Sequence, residues 1–581
     1  MAKEKRTKIT WSRFFWCTVS VVLWCVVFTG FAFSSFRPFF AAGRFRPELV
    51  SGRGRSGGER INAVSWDPHR HAVPRRTVTV RGTVALPDQI LVFLNYPSPA
   101  RIFTKEDLYC VYSSPNDRHE LAPTRVENLE ADGEQIVRCP LPPRGDGSSS
   151  FSPAVSVAFK SDRTPTRGDF TFGGSHHRWG SLVYEAVIDR DNTTVVFVKG
   201  LNLRPDKLYE PSRFECLYGW DFSRPKFVLR AEALSAAQEI VRCVTPLSVL
   251  GPTLPVRPND GPIKVSVRMK GRPALDSIAR VGSHVGPQAH YGKNKEFEMC
   301  VCTMLRNQAK PLKEWAMYHA RIGVQRFFVY DNNSDDDVED VIASLDERGG
   351  VNISRHVWPW IKTQEAGFAH CALRARGSCE WVGFIDVDEF LYLPDHETTL
   401  VDVVRNQSES GDNVAELRVS CYSFGPSGLK AVPEQGVMAG YTCRLAAPER
   451  HKSIVNPEAL NSSMINLVHH FHLRDGFNFV NADRGALVIN HYKYQVWDVF
   501  KEKFYRRVAT YVADWQNDMN VGSKDRAPGL GTRPVEPPDW SSRFCEVNDV
   551  GLRDMVMQRF SNPTTNLLPW QESGGGSQLD S

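Results

Sequence analysis

Two carboxylates one residue apart, Asp386 and Asp388, follow the apolar run WVGFI and precede Glu389. If that run is a strand continuing through the motif, residues i and i+2 project from one face. Both carboxylates then converge where the strand meets solvent, and they repel unless a cation or a donor partner lies between them. Hard oxygen donors suit Mg2+ or Mn2+, ions that in turn hold a diphosphate. The plain alternative is a polar strand end before a loop. A second acidic run, Tyr330-Asp331-Asn332-Asn333-Ser334-Asp335-Asp336-Asp337, follows RFFV. Counted from Asp331, the glycine position of a calcium loop holds Asp336 and the bidentate glutamate position holds Ile342, which excludes an EF-hand. Asp335 or Asp336 then caps the next helix. Asp331, at a strand's carboxyl end, is placed to hold a base or ribose. Asn332 begins a glycosylation sequon, but a glycan there would crowd the same mouth, so it is expected to be unmodified.

The elements that would position these groups alternate. EMCVCTML, RFFVYDN, VNISRHVW and WVGFIDVDEFLYL read as strands of a buried type. Between them, Leu312, Trp315, Ala316 and His319, then Val338, Val341, Ile342 and Leu345, then Ala366, Ala369 and Leu373 fall at helical spacing, and Leu400, Val403 and Val404 mark one more helix. Strand–helix alternation implies a parallel sheet with helices on both faces, whose ligands lie beyond the carboxyl ends of the strands.

Residues from about 76 to 285 read differently. TVTVRGTVAL alternates, while ILVFLNY and TVVFVKGLNL are short β-branched and aromatic runs punctuated by Pro and Gly. A faint repeat pairs LVFLNYP with VVFVKGL, LYCVY with FECLYGW, IVRCPLP with IVRCVTP and AVSVAFK with KVSVRMK. The repeat predicts a duplicated β unit, with one disulfide in each copy, Cys110–Cys139 and Cys216–Cys243, and a β-sandwich as the product.

The 581 residues are 41% hydrophobic and 24% charged, an ordinary globular balance that excludes global disorder and a multi-span membrane protein. Net charge is only +5 and no basic stripe dominates, so nucleic acid is not an expected partner. Residues 14–36 carry no charge and are long enough to cross a bilayer. Lys3, Lys5, Arg6, Lys8 and Arg13 precede them, which places that end in the cytosol. An uncleaved signal anchor is the reading preferred over a cleaved signal peptide ending near Ala41-Ala42-Gly43. Eleven cysteines lie beyond the apolar run, without zinc spacing, and in an oxidising lumen most should pair. Sequons at Asn192, Asn332, Asn352, Asn406 and Asn461 agree with a lumenal location. The expected organisation is a cytosolic tail (1–13), a transmembrane anchor (14–36), a Gly/Arg/Ser-rich stalk (37–75), a β-rich stem (76–288), an α/β catalytic domain (289–565) and a flexible tail (566–581).

The series CTMLRNQAKPLKEWAMYHARIGVQRFFVYDNNSDDD, TQEAGFAHCALRARGSCEWVGFIDVDEFLYL, RHKSIVNPEAL and INHYKYQVWDVFKEKF resembles glycosyltransferase family 92, and within it the plant galactan synthases of pectin. The resemblance runs from about 296 to 560, and the stem, with KGLNLRP and QEIVRC, is similar as well. It implies a Rossmann-like GT-A catalytic domain and inverting, Mn2+- or Mg2+-dependent transfer from UDP-galactose to β-1,4-galactan, the side chains of rhamnogalacturonan I. It also implies a Golgi location, with one transmembrane helix as the membrane contact, and a stem like a carbohydrate-binding module. A homodimer is one admissible assembly.

Carried over position by position, the resemblance puts Thr303, Arg306, Asp331 and Ser334 against the donor nucleotide and Asp386 and Asp388 on the metal. A late histidine completes the metal shell, and His491 in NHYKY fits by position, with His469, His470 and His472 as competitors. Lys452 is a candidate for the donor phosphates, against the plain reading of an exposed lysine. Inversion requires a carboxylate base for the acceptor hydroxyl. Glu449 in APERHK and Asp475 in LRDGF are the candidates, each with a surface acid as its plain reading. Tyr422, Phe424, Phe477 and Trp497 are candidate sugar-stacking rings, although Trp497 lies at helical spacing with Phe500 and Phe504 and so reads as core. Because every candidate donor residue follows 296, the stem is expected to be dispensable for chemistry and to help hold polymer, although a chain beginning near 290 is expected to fold poorly if the sandwich packs on the catalytic domain. A non-catalytic sugar-binding scaffold and a phosphoryl hydrolase are the competing readings; sugar transfer, or phosphate release without an acceptor, separates them.

Overall fold

The computed structural model describes residues 79–571, except 96–102, 115–116, 130–133, 142–153, 160–174, 205–206, 225, 227, 251–255, 258–260, 282–294, 348–349, 396 and 512–535. The chain divides into Met1–Arg70, which lies outside the described residues together with the apolar run 14–36 and most of the stalk, and His71–Ser581, to which the following applies. Among the described residues no helix is long and apolar enough to cross a membrane.

The catalytic region is built on one large sheet. Its strands are β1 (Phe297–Leu305), β2 (Arg326–Asp331), β3 (Ile353–Val357), β4 (Cys379–Phe384), β5 (Glu389–Tyr392), β6 (Val414–Ser423), β7 (Arg450–Val455), β8 (Asn478–Asn481) and β9 (Val488–His491). They lie in the order β3-β2-β1-β4-β7-β6-β9-β5, with β8 beside β6. The first four are mutually parallel, in the 3-2-1-4 order of doubly wound nucleotide-binding sheets. Helices α1 (Ala309–Arg321), α2 (Val338–Glu347) and α3 (Gln364–Ala375) make the crossovers, and α4 (Leu400–Ser408) leads into β6. α1 and α2 bury Leu312, Trp315, Ala316, Val338, Ile342 and Leu345 on one face of the sheet; α3 buries Phe368, Ala369 and Ala372 on the other. α4 starts at a reciprocal cap, Thr399 with Asp402. Further on lie α5 (Trp497–Tyr511) and α6 (Gly551–Phe560). Strands β6 and β9 run with β4, whereas β7 and β5 run against it. The carboxyl ends of β1, β2, β4, β6 and β9 therefore share an edge with the starts of β7 and β5.

The segment WVGFIDVDEFLYL is not one strand. β4 ends at Phe384, the chain turns with Glu389 N–H donating to Asp386 O at 3.0 Å, and β5 leaves in the opposite sense to pair with β9. Asp386 and Asp388 thus sit on a reversing turn, and the i, i+2 rule for an extended strand does not govern them.

The β-rich region holds two units. In the first, a five-stranded sheet (125–128, 134–140, 89–95, 79–85 and 175–178 in spatial order) covers a three-stranded sheet, and Cys110–Cys139 links the two. In the second, strand Leu229–Ala237 pairs first with Phe214–Gly219 and then with Ile240–Val244, and Cys216–Cys243 closes the unit. The strand Gln89–Asn95 turns Ile90, Val92 and Leu94 into its own unit's core and Leu91 and Phe93 the other way. The strand Thr193–Lys199 does the same with Val196 and Val198 against Val195 and Phe197. These outward sets join Cys300, Cys302, Phe328, Tyr330, Trp358, Trp360 and Phe368 in a single apolar core that continues into the catalytic sheet. Trp179 stacks on Trp360 with centroids 5.5 Å apart, and Trp360 also stacks on Phe93 at 5.9 Å. A stem separable from the chemistry is therefore not what folds: the two regions share their interior.

Ten of the eleven cysteines beyond the apolar run pair, the others as Cys300–Cys379, Cys302–Cys371 and Cys443–Cys545, and Cys421 stays free and buried. The start of the expected tail is packed, with Leu568 buried and Trp570 Nε1 donating to Gln435 O at 3.0 Å.

Candidate functional site

At the shared edge, each carboxylate of the turn has its own lysine. Lys452 of β7 places Nζ 3.1 Å from Asp386 Oδ2 and 2.8 Å from Glu389 Oε1. Lys503 of α5 pairs with Asp388 Oδ2. Each carboxylate also has a histidine: His469 Nε2 lies 3.4 Å from Asp386 Oδ2, and His491 Nε2 lies 3.4 Å from Asp388 Oδ2. His469 Nδ1 sits 2.9 Å from Phe384 O, and its Nε2 lies 2.6 Å from Lys452 Nζ, so both ring nitrogens are engaged. Glu389, fully buried, accepts from Asp386 N–H at 2.9 Å. Burial alone would raise both aspartates. Lys452 and His469 outweigh it and hold Asp386 well below the usual carboxylate range, and Lys503 and His491 do the same for Asp388. Burial would lower Lys452, but Asp386 and Glu389 push it up instead.

The donor partners that keep the two carboxylates from repelling are therefore Lys452 and Lys503, on a turn rather than on one continuous strand. The arrangement corrects the plain reading of Lys452, which is 7% exposed and has its charge committed to Asp386 and Glu389. The expected metal set fits a hard divalent ion at Asp388 and His491, because two ligand atoms on one octahedral ion stand about 3 Å apart. Asp386 supplies a second carboxylate on the same turn. The tightest group of ligand-type atoms among the described residues is a different one: Glu389, Cys421 and His491, within 4.8 Å of one another. Burial and the Glu389 charge raise the Cys421 thiol well above its ordinary value, so it is neutral and a poor ligand, and Glu389 is engaged by Lys452.

Glu449 joins this centre. Its carboxylate accepts from Ser423 Oγ, which lies in register with His491, and sits 2.9 Å from Lys493 Nζ. Burial raises it, but Ser423 and Lys493 prevail and keep it below its ordinary value, so it is anionic at neutral pH. Asp475 does not join it. It is exposed in a turn just before β8, which pairs with the opening residues of β6, at the end of the sheet away from Ser423. Of the candidate rings, Phe424 and Trp497 are core, Tyr422 lies under the Arg444 guanidinium at 4.2 Å, and Phe477 is exposed beside Asp475.

The nucleotide candidates cluster at the ends of β1 and β2. Thr303 is buried with Oγ1 lacking a hydrogen-bond partner. Arg306 is partly exposed, 3.9 Å from Asp335. Asp331 spends one oxygen on Ser334 N–H at 2.9 Å and the other on Arg355 Nε at 2.8 Å. Ser334 is buried, its Oγ accepting from Asn307 N–H at 3.0 Å. Its carbonyl accepts from Arg125 at 3.1 Å and Arg138 at 3.2 Å, both from the first β unit. Glu127 of that unit pairs with Arg355 at 2.6 Å. Ser334 and Asp331 therefore shape the mouth from behind, while Thr303 and Arg306 remain free to meet a ligand. Asn332 donates to Trp358 O at 2.7 Å and Trp360 O at 3.0 Å, so its amide is already used, in keeping with an unmodified sequon.

The two halves of the edge are joined by α5: Lys503 meets Asp388, and Arg506 Nη1 donates to Asn307 O at 3.2 Å. Lys503, Arg506, Glu389 and the Arg125–Glu127–Arg138 group went unassigned in the sequence, and His469 was weighed only as a competitor of His491 for the metal. Only Glu389 and His469 carried a local signal, adjacency to the D-V-D motif and the histidine run 469–472.

An α/β sheet of order 3-2-1-4, with a carboxylate and histidine centre at its carboxyl edge, is the frame of an enzyme that binds its substrate at the β1/β4 switch point. The chain belongs to glycosyltransferase family 92, a transferase family whose model matches residues 295–521. A family 92 protein of Ricinus communis is 59% identical over 98% of this chain and 99% of its own. One from Oryza sativa is 50% identical over 92% and 89%, and one from Arabidopsis thaliana 47% over 87% and 86%. Glucosyl-3-phosphoglycerate synthase from Mycobacterium tuberculosis overlaps 28% of this chain and 58% of its own at 14% identity, with a TM-score of 0.18, too slight to carry an argument.

Proposed function

We propose that this chain is a Golgi type II glycosyltransferase of GT-A architecture that extends β-1,4-galactan from UDP-galactose with inversion, assisted by Mn2+. The observation that carries the reading is the Asp388–His491 pair, 3.4 Å apart beside Asp386 at the carboxyl edge of the sheet. A divalent ion at Asp386, Asp388 and His491 would supply Lewis-acid neutralisation of the leaving diphosphate, worth several kcal/mol. Thr303, with a buried hydroxyl in want of a partner, and Arg306 face the nucleotide. Glu449, anionic and one strand from His491, is the base for the acceptor hydroxyl, in preference to Asp475 at the other end of the sheet. Galactose, galactan and the Golgi location rest on the resemblance of the sequence series; the type II orientation rests on the charge-flanked apolar run 14–36.

A donor-by-acceptor screen tests it. The purified protein is expected to transfer galactose to galactan oligomers, to stop on chelation and to recover with Mn2+. Transfer of another sugar only would overturn the donor assignment. Full activity in chelator would overturn the metal.

A further inference from the structure

Resting on the metal-dependent reading above, we propose that Lys503 is an exchangeable cation: it neutralises Asp388 until a divalent ion is bound there, and is then free for the donor diphosphate. The argument begins with a single atom. Asp388 Oδ2 is the oxygen that faces His491 Nε2 at 3.4 Å, and it is the same oxygen that Lys503 Nζ occupies. The ammonium and an ion shared by Asp388 and His491 compete for one lone-pair region. Both cannot hold it.

The two lysines of the centre differ in how easily they leave. Lys452 has 9% of its side chain exposed and is held by two carboxylates, so moving it would strand the buried Glu389. Lys503 has 33% of its side chain exposed and one carboxylate partner, and an ion bound at Asp388 would replace the charge it takes away. A lysine is also a compact charge on a flexible stem, suited to changing partners, unlike the planar fork of arginine. Its helix is anchored independently of the sheet: Trp497 and Phe500 pack with Tyr494, Trp540 and Phe544 in a small aromatic cluster of their own. One turn further on, Arg506 reaches Asn307 O, next to Arg306 at the end of β1. Lys503, Arg506 and Arg306 thus line the side of the mouth where Thr303 awaits a ligand. A cation released from Asp388 stays among them. Metal and diphosphate are therefore coupled: the ion alone must displace Lys503, and the diphosphate alone finds Lys503 committed.

The test is Mn2+ binding by the full-length protein, followed by the electron paramagnetic resonance of free Mn2+, with and without UDP and without any sugar transfer. Wild type should bind Mn2+ weakly alone and more tightly with UDP. Lys503→Met should bind Mn2+ alone about fivefold to tenfold more tightly, and the gain from UDP should shrink by a similar factor. Lys503→Arg, which keeps a charge on the helix, should retain weak binding of the ion alone and also controls for folding. Unchanged or weaker Mn2+ binding by folded Lys503→Met overturns the exchange while leaving the metal site standing. If wild type binds no Mn2+ even with UDP, or Asp388→Asn binds it as wild type does, the metal site itself falls and the exchange with it.

Discussion

Two acidic segments end neighbouring parts of the same sheet, and they are neutralised in opposite ways. The 331–337 segment after β2 is held by arginines: Arg355 from β3, and Arg125 and Arg138 from the first β unit. Glu127, 3% exposed, ties all three together. The Asp386–Glu389 turn after β4 is held by lysines and histidines, one of each per aspartate. Arginine gives several fixed hydrogen bonds at once and keeps its charge, so the first segment is a rigid wall. Lysine is a compact charge on a flexible stem, so the second is held by groups that can change partners. Acidic composition alone does not distinguish a structural clamp from a working centre; the identity of the partners does.

The comparison can be broken most severely by removing the source of the arginines. A chain beginning near residue 290 loses Arg125, Glu127 and Arg138 together with half of the shared aromatic core. It should show no cooperative thermal transition, in line with the poor folding expected if the β units pack on the sheet; a folded, active product would show that the wall needs no support from the β units. Next in size, Asp388→Asn should reduce transfer about a hundredfold or more while the protein stays folded, measured as kcat on a galactan oligomer. Normal transfer would reduce the turn to a polar loop.

Third, stability should separate the clamps. Glu127→Gln leaves three guanidinium groups short of an anion and should cost about 3–5 kcal/mol in denaturant unfolding. Lys452→Met should cost a similar amount, because Glu389 has no exposure, and Lys503→Met should cost less, because Lys503 is a third exposed and has one carboxylate partner rather than two. Equal losses at the two lysines would remove the distinction between a fixed and an exchangeable cation. The smallest effect is in pH. Asp386 and Asp388 titrate below their unfolded value of about 3.9. In that window the unfolded chain binds the proton that the folded one does not, so their contribution is fully present above about pH 5 and is lost as pH falls through the folded values. Asp386→Asn should flatten the acid limb of a stability–pH curve and leave the neutral region parallel to wild type.

Much of this was legible in sequence. The helical spacings of Leu312–His319 and Val338–Leu345 recurred as α1 and α2, and the repeat located the disulfides of both β units. Even the shared core left a trace: ILVFLN and TTVVFVK are continuously apolar where a one-sided sandwich strand would alternate. Such a strand must be covered on both faces, which agrees with a sandwich packed on the catalytic domain. The expectation of one strand running through the motif failed for a local reason, because the strand ended at Phe384, two residues before it.

Sequence by itself thus determined the element types, the acidic motif and its competence for a hard cation, since those depend on residues within a few positions of one another. Which cation each carboxylate meets was decided only by the tertiary structure. Asp388 and Lys503 stand 115 positions apart, Arg138 and Ser334 196. No periodicity reaches that far: the pairing is set by where β7, β9, α5 and the first β unit dock around the sheet edge, and docking is the summed result of apolar burial across the whole core rather than of any one motif.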